Sequence, residues 1–321
     1  MRNVVEITQL CKNYGPIEAL RGISFSLAPG EVLGFLGHNG AGKTTTIRLI
    51  LGLLRPDAGS VRLFGEDPYP DDQRRQALRR RLGVILEEDR LYHYMTGEEN
   101  LEFWAGLHGL RRREASRRIS EVLQLVGIGD RARTLVGTYS KGMRRRLAIA
   151  RALVNRPEML IMDEPTVGLD PVARVQIRAI LGNLVNSEGM TVFLTSHDLA
   201  EVEKICQRVA ILDHGRIILS GSMEELRQGQ GSRLVISLIP QNGCLLPDSL
   251  LQELEDLPFV LRADVHGDEL CLTLEEGDHN AEIIELLVHN NARVSQVRPA
   301  KLSLEDLYLE TVHLHEPPAT S

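Results

Sequence analysis

The chain has 321 residues, 43% of them hydrophobic and 25% charged, the proportions of an ordinary globular protein with length for about two domains. Disordered, collagen-like and disulfide-stapled classes are excluded. No run approaches the roughly 18 apolar residues that span a bilayer, and the opening MRNVVEITQL lacks the basic-then-apolar layout of a signal peptide. The expected location is the cytoplasm.

Four cysteines (Cys11, Cys206, Cys244, Cys271) are scattered without a CxxC pair, so neither a zinc site built on cysteine nor a disulfide framework is indicated. The net charge of −7 is uneven: residues 1–225 hold 31 basic against 28 acidic side chains, and residues 226–321 hold 6 against 16. The expected organisation is a first domain over 1–227, a Gln/Gly-rich linker over 228–232 and a second domain over 233–321. So acidic a second part disfavours nucleic acid as a partner, because backbone phosphates are bound by cations.

In chain order, the apolar stretch 31–36 predicts a buried strand that empties into Gly37-His38-Asn39-Gly40-Ala41-Gly42-Lys43-Thr44. This is the phosphate-loop pattern G-x-x-x-x-G-K-[ST]. Its glycines let successive backbone N–H groups turn inward toward phosphate oxygens, and the following helix, predicted over 45–54 with Thr45 in its first turn, offers its positive end. Lys43 is expected on the β- and γ-phosphates and the Thr44 hydroxyl on Mg²⁺.

Four of the chain's 13 aromatic residues (Tyr92, Tyr94, Phe103, Trp104) crowd one short window, readable as a local helical core or as a docking surface. Arginine triplets at 79–81, 111–113 and 144–146 are read as solvated helix faces. A helix is predicted over 143–154, preceded by Ser140 and Gly142. Next, the apolar run Met159-Leu160-Ile161-Met162 delivers Asp163 and Glu164, and two acids at the end of a buried strand are costly unless something charged meets them. Asp163 is the expected Mg²⁺ ligand, and Glu164 the group that polarises the attacking water.

Together these residues resemble the ATP-binding subunit of an ABC transporter over residues 1 to about 225. Tyr139-Ser140-Lys141-Gly142-Met143 resembles the family signature, usually LSGGQ. Asp163 to Asp170 resembles the Walker B segment with its D-loop, and Thr195-Ser196-His197-Asp198 resembles the switch region. The resemblance implies an α/β phosphate-loop ATPase domain with a helical subdomain, ATP and Mg²⁺ as cofactors, and Tyr14 stacked on adenine. It also implies Ser140, Gly142 and Asp170 acting on nucleotide bound to a second ATPase subunit, a homodimer in preference to a heterodimer, and His197 contacting the γ-phosphate. The expected partner is an integral membrane permease, with the chain peripheral on the cytoplasmic face. The rival expectation is a soluble ABC ATPase acting on ribosomes or nucleic acid; such relatives usually carry two cassettes or long coiled coils, and this chain has one phosphate loop and no sustained heptads.

Two departures from the family pattern stand out. Glu87 occupies the position of the family's Q-loop glutamine; its added charge either strengthens Mg²⁺ ligation or repels the nucleotide, and ligation is the expectation because a carboxylate oxygen still binds the ion. Lys141 and Met143 replace the third and fifth signature residues. Beyond residue 232 the periodicity predicts β-α-β-β-α-β, a small α+β domain of ferredoxin-like order, then a final helix opened by Ser303 and Asp306. That tail resembles drug and antibiotic exporter ATPases whose permease is a separate polypeptide.

Overall fold

A computed structural model describes residues 2–227, 232–240, 245–275, 277, 279–300 and 303–315. It divides into two compact units, Met1–Ser220 and Gly221–Ser321. This division precedes the position expected from composition, because the five-residue helix at 223–227 groups with the second unit. Residues 228–231 of the expected linker lie outside the described residues, as does Cys244, and Ser232 already belongs to a strand.

The first unit runs β1 (Val5–Tyr14), β2 (Ile17–Leu27), β3 (Val32–Leu36), α1 (Lys43–Ile50), β4 (Ala58–Leu63), α2 (Asp72–Arg80) and β5 (Leu82–Ile85). It continues through α3 (Gly97–Leu107), α4 (Arg112–Leu125), α5 (Lys141–Leu153), β6 (Met159–Asp163), α6 (Pro171–Glu188), β7 (Thr191–Ser196) and α7 (Leu199–Ile205), then β8 (Arg208–Asp213) and β9 (Arg216–Ser222). Two sheets result, an antiparallel one ordered β2-β1-β4 and a larger one ordered β5-β6-β7-β3-β8-β9. Every residue of β3, β6 and β7 is buried, the pattern of parallel strands covered on both faces. Phe25 of β2 meets Phe35 of β3 and Phe193 of β7 at ring separations of 5.2 and 5.8 Å, tying the two sheets into one core.

Register explains why a site forms. β7 lies between β3 and β6, pairing Leu36 with Ser196 on one side and Asp163 with Thr195 on the other. Three neighbouring strands therefore stop at the same level. Whatever follows Leu36, Met162 and Thr195 must meet in one place.

Helices α3, α4 and α5 pack on one another beside this sheet as the expected helical subdomain. Thr96 and Glu99 close a reciprocal capping box at the start of α3. The arginine triplets meet three different fates. Arg111, Arg112 and Arg113 are exposed, as expected, while Arg79 caps the carbonyls of Leu51 and Gly52, and Arg81 pairs with Glu158 and stacks on Phe64. Arg144 to Arg146 do not form a solvated face, since Arg145 is buried and its neighbours are half-buried. The reason is tertiary: this turn of α5 faces the segment after β5, whose carbonyls need donors.

The second unit opens with α8 (Met223–Arg227) and follows the predicted order: β10 (Ser232–Ile239), α9 (Asp248–Glu255), β11 (Val260–His266), β12 (Glu269–Leu274), α10 (Asn280–His289) and β13 (Arg293–Ala300), then α11 (Leu304–His315). Its sheet is ordered β11-β12-β10-β13 with each pairing antiparallel, so the two strands of each split β-α-β pair enclose or flank one another as a ferredoxin-like unit requires. Alternate residues Leu234, Ile236 and Leu238 of β10 and Leu270, Leu272 and Leu274 of β12 pack against Leu250 and Leu254 of α9 and Ile283 and Leu287 of α10. Period two on the strands and period four on the helices point one apolar face inward from each. Ser303 and Asp306 exchange backbone-to-side-chain bonds at the start of α11, the predicted capping arrangement.

Candidate functional site

The loop after β3 closes over glycines that no other residue could replace. A Cβ on Gly37 would stand 2.3 Å from the Leu212 carbonyl, and one on Gly42, at φ +117, would stand 2.6 Å from that of Ala19. Close backbone packing at both ends bends the loop into a cradle. Helix α1 begins at Lys43 with Gly42 as its N-cap, two residues before the sequence-based expectation, so Lys43, Thr44 and Thr45 form its first turn. The helix ends at Ile50, not at residue 54.

A cleft of about 310 Å³ is lined by Tyr14, Ile17 and Ala19, by His38, Asn39, Gly40, Gly42, Lys43, Thr44 and Thr45 of the loop, and by Glu87, Asp163 and Glu164. Residues drawn from β1, the phosphate loop, the segment after β5 and the end of β6 thus converge. Gly37 and Ala41 underlie the loop; Ala41 is buried and its carbonyl accepts from Gly215.

Inside the cleft, charge is buried and paired. The Lys43 ammonium, 7% exposed, donates to the Gly37 carbonyl at 2.6 Å and the His38 carbonyl at 3.3 Å, and lies 3.4 Å from Glu164 Oε1. Asp163 Oδ1 accepts from the Thr195 hydroxyl at 2.6 Å, and its Oδ2 accepts from the Thr44 hydroxyl at 3.5 Å. A hydroxyl and a carboxylate so placed are hard oxygen donors of the kind Mg²⁺ takes, and the donor set fits that ion.

Glu164 is held in an unusual state. Its φ of +49° lies in the left-handed region, which costs a non-glycine residue about 1–2 kcal/mol and persists only where neighbours impose it. Those neighbours are visible: its N–H donates to Thr195, and its carbonyl accepts from Arg145 Nη2 at 2.6 Å. Glu164 Oε2 is buried and meets no hydrogen-bond donor among the described residues, while His197 Nδ1 stands 3.0 Å from it. A buried carboxylate oxygen so placed has acceptor capacity left over.

Ser140, Gly142 and Asp170 do not line this cleft. Ser140 is the N-cap of α5, accepting from Met143 N–H at 3.2 Å, and Asp170 is the N-cap of α6, accepting from Ala173 N–H at 2.9 Å. A Cβ on Gly142 would stand 2.7 Å from the Ala173 Cβ. This small-on-small contact sets two helix N-termini side by side. The departing signature residue Lys141 lies over Gly168, whose added Cβ would strike its ammonium.

Sequence reasoning missed Arg145. Its guanidinium, 6% exposed, donates to the Leu86 carbonyl at 2.7 Å as well as to that of Glu164, so one side chain fixes the residue before Glu87 and the backbone of Glu164. Burial lowers its pKa, an effect opposed by Asp89, Asp163, Glu87 and Glu164. Arg144 pairs with Asp89 at 3.3 Å, and Arg151 donates to the Asp89 and Arg90 carbonyls, so α5 staples the whole segment from Leu86 to Arg90. The only sequence signal was a basic triplet, which carries no burial information. Arg145→Lys keeps a charge and loses the fork; the expected result is a kcat for ATP lowered about 10- to 100-fold, the scale of a misplaced reacting group, with the KM for ATP changed far less, as steady-state kinetics would show.

The ABC transporter family model matches residues 20–167. The chain is 36% identical to the linearmycin resistance ATP-binding protein LnrL of Bacillus subtilis, over 97% of each chain. It is 33% identical to the bacitracin transport ATP-binding protein BcrA of Bacillus licheniformis, over 97% of this chain and 98% of that one. Its fold matches the dimeric structure of MJ0796, a bacterial ABC transporter cassette, with a TM-score of 0.63 and 26% identity over 68% of this chain and 98% of the other. The phosphate loop, the acid pair at the end of β6 and full-length likeness to transport ATPases agree, and the chain belongs to the ABC transporter family as an ATP-binding ATPase subunit.

Proposed function

We propose that two copies of this chain close around ATP and Mg²⁺ and use hydrolysis to drive a separate integral membrane permease that exports its cargo. The observation that carries this reading is a division of labour: Lys43, Thr44, Asp163 and Glu164 share one cleft, while Ser140, Gly142 and Asp170 lie outside it on adjacent helix ends. A single chain presents half of each site. A second chain supplies the other half, its Ser140 hydroxyl, Gly142 N–H and α5 N-terminus meeting the γ-phosphate.

Tyr14, 41% exposed at the cleft rim, offers a flat face to adenine. Lys43 exchanges its carbonyl partners for β- and γ-phosphate oxygens. Thr44 and Asp163, with Glu87 beside them, would hold Mg²⁺, which neutralises charge on the phosphates when bound. Glu164 Oε2 accepts a proton from water as that water's oxygen bonds to the γ-phosphorus and the bond to the ADP oxygen breaks. His197 orients the carboxylate and contacts the γ-phosphate. An ATP-bound pair is held by contacts that ADP cannot make, so each cycle closes and reopens the dimer.

The output surface is a second cleft of about 640 Å³ that includes Leu82, Leu86, Leu91, Tyr92, Trp104 and His108 among its lining residues. Tyr92, Phe103 and Trp104 stack edge to face, and Tyr94 is 97% exposed. The Trp104 Nε1–H is buried and meets no acceptor among the described residues. Leu86 belongs to this cleft and is bonded to Arg145, so motion there reaches Glu164 through one guanidinium. No described helix is long and apolar enough to cross a membrane; the permease places the chain on the cytoplasmic face. Linearmycin resistance and bacitracin transport, named for two relatives, support export.

Glu164→Gln is expected to lower kcat by about 10²–10⁴-fold, the worth of a general base. The integral protein captured with the chain from membranes, reconstituted with it in vesicles, is expected to stimulate ATP hydrolysis; capture of ribosomes and no membrane protein would contradict the reading. Glu87→Gln is expected to raise the Mg²⁺ concentration needed for half-maximal ATPase activity. An unchanged Mg²⁺ titration would remove Glu87 from the ion's ligands.

A further inference from the structure

A second constellation stands beside the phosphate loop, and the ATPase reading leaves it without a role. His38, Asp213 and His214 each offer one ligand atom, and these atoms lie within 4.8 Å of one another. The fold forces the meeting. Gly37 packs directly on the Leu212 carbonyl, and Gly215 N–H donates to the Ala41 carbonyl at 3.1 Å. His214 and Gly215, with φ of +42° and +78°, make the two-residue turn between β8 and β9, the backbone such a hairpin turn demands. Loop and turn are thus fastened together at backbone level on both sides of the three side chains.

The hydrogen bonding fixes what His38 presents. Its Nδ1 lies 2.8 Å from the Asn39 carbonyl, and a carbonyl only accepts, so this contact calls for a proton on Nδ1 and leaves Nε2 as the atom that faces Asp213. Histidines that bind metals are held in this way, one ring nitrogen donating to a backbone carbonyl while the other faces the ion. Nε2 stands 3.3 Å from Asp213 Oδ1. Ligand atoms at the corners of a tetrahedron with bonds of about 2.0 Å lie about 3.3 Å apart, so this pair already has the spacing of two ligands. The His214 ring centroid lies 5.1 Å from that of His38, within reach of a side-chain rotation. The simpler alternative is a His38–Asp213 pair alone, with no role for His214.

We propose that His38, Asp213 and His214 form a binding site for a first-row divalent cation of borderline hardness, with Zn²⁺ its best representative, attached to the phosphate loop. Two imidazoles and one carboxylate select such an ion over Mg²⁺, which takes oxygen donors, and leave a fourth position for water. Two of its ligands, Asp213 and His214, come from the opposite neighbour of β3, strand β8 and its turn, and the third, His38, comes from the phosphate loop, where it also borders the nucleotide cleft.

The test is calorimetric titration of the untagged full chain with ZnCl2 in excess MgCl2. One Zn²⁺ per chain is expected for the wild type and for His197→Ala, which removes the imidazole of the nucleotide site. His214→Ala is expected to bind at least about 100-fold more weakly, since losing a ligand costs no less than losing its hydrogen-bonded support, and Asp213→Asn is expected to weaken binding too. Thermal melts separate loss of the site from loss of the fold: His214→Ala should melt like the wild type without Zn²⁺ and fail to gain stability with it. No stoichiometric binding by the wild type, equal binding by His214→Ala, or binding lost in His197→Ala would each overturn the proposal.

Discussion

Three adjacent parallel strands that end at one level are the constraint on which the site rests. Because β7 pairs Thr195 with Asp163 and Ser196 with Leu36, the chain leaving each strand enters the same small volume. That volume receives Lys43, Asp163 and Glu164, all buried, which such a location tolerates only when each finds a partner. Lys43 with Glu164, Thr195 and Thr44 with Asp163, and Arg145 between two carbonyls meet that demand. The left-handed Glu164 is the local cost, imposed by bonds on both its N–H and its carbonyl.

Arg145 also links regions that separate functions would otherwise divide. Leu86 contributes to the aromatic cleft, Glu87 to the nucleotide cleft, and Glu164 to the nucleotide cleft beside His197. A guanidinium whose plane fixes two donor directions holds two backbone carbonyls at a set separation. Displacing one displaces the other. In the proposed function, a permease segment in the aromatic cleft and a nucleotide beside Glu164 act on one shared geometry.

Much of this was legible in the sequence because the phosphate loop is contiguous: Gly37 to Thr44 carry their chemistry in order, and buried β6 announces Asp163 and Glu164 by its unbroken apolar run. The second unit was legible for a different reason, since period-two strands such as Leu234-Ile236-Leu238 declare one buried face. The antiparallel sheet was not read, because β1 is interrupted by register shifts around Gln9, itself at φ +47°, which blur alternation. The arginine triplets read alike and differ only through what folds over them. The start of α1 at Lys43 depends on Gly42 adopting a conformation that spacing does not reveal. The boundary near Ser220 reflects contacts, not the composition shift at residue 228.

The central claim is that one chain holds half of each ATP site and its neighbour the other half. Sedimentation of Glu164→Gln protein, with ADP and then with ATP and Mg²⁺, tests it directly. A monomer is expected with ADP and a dimer with ATP, the dimer abolished when Ser140 is replaced by a bulky residue. A protein that stays monomeric with ATP at high concentration, even with its permease supplied, would contradict it.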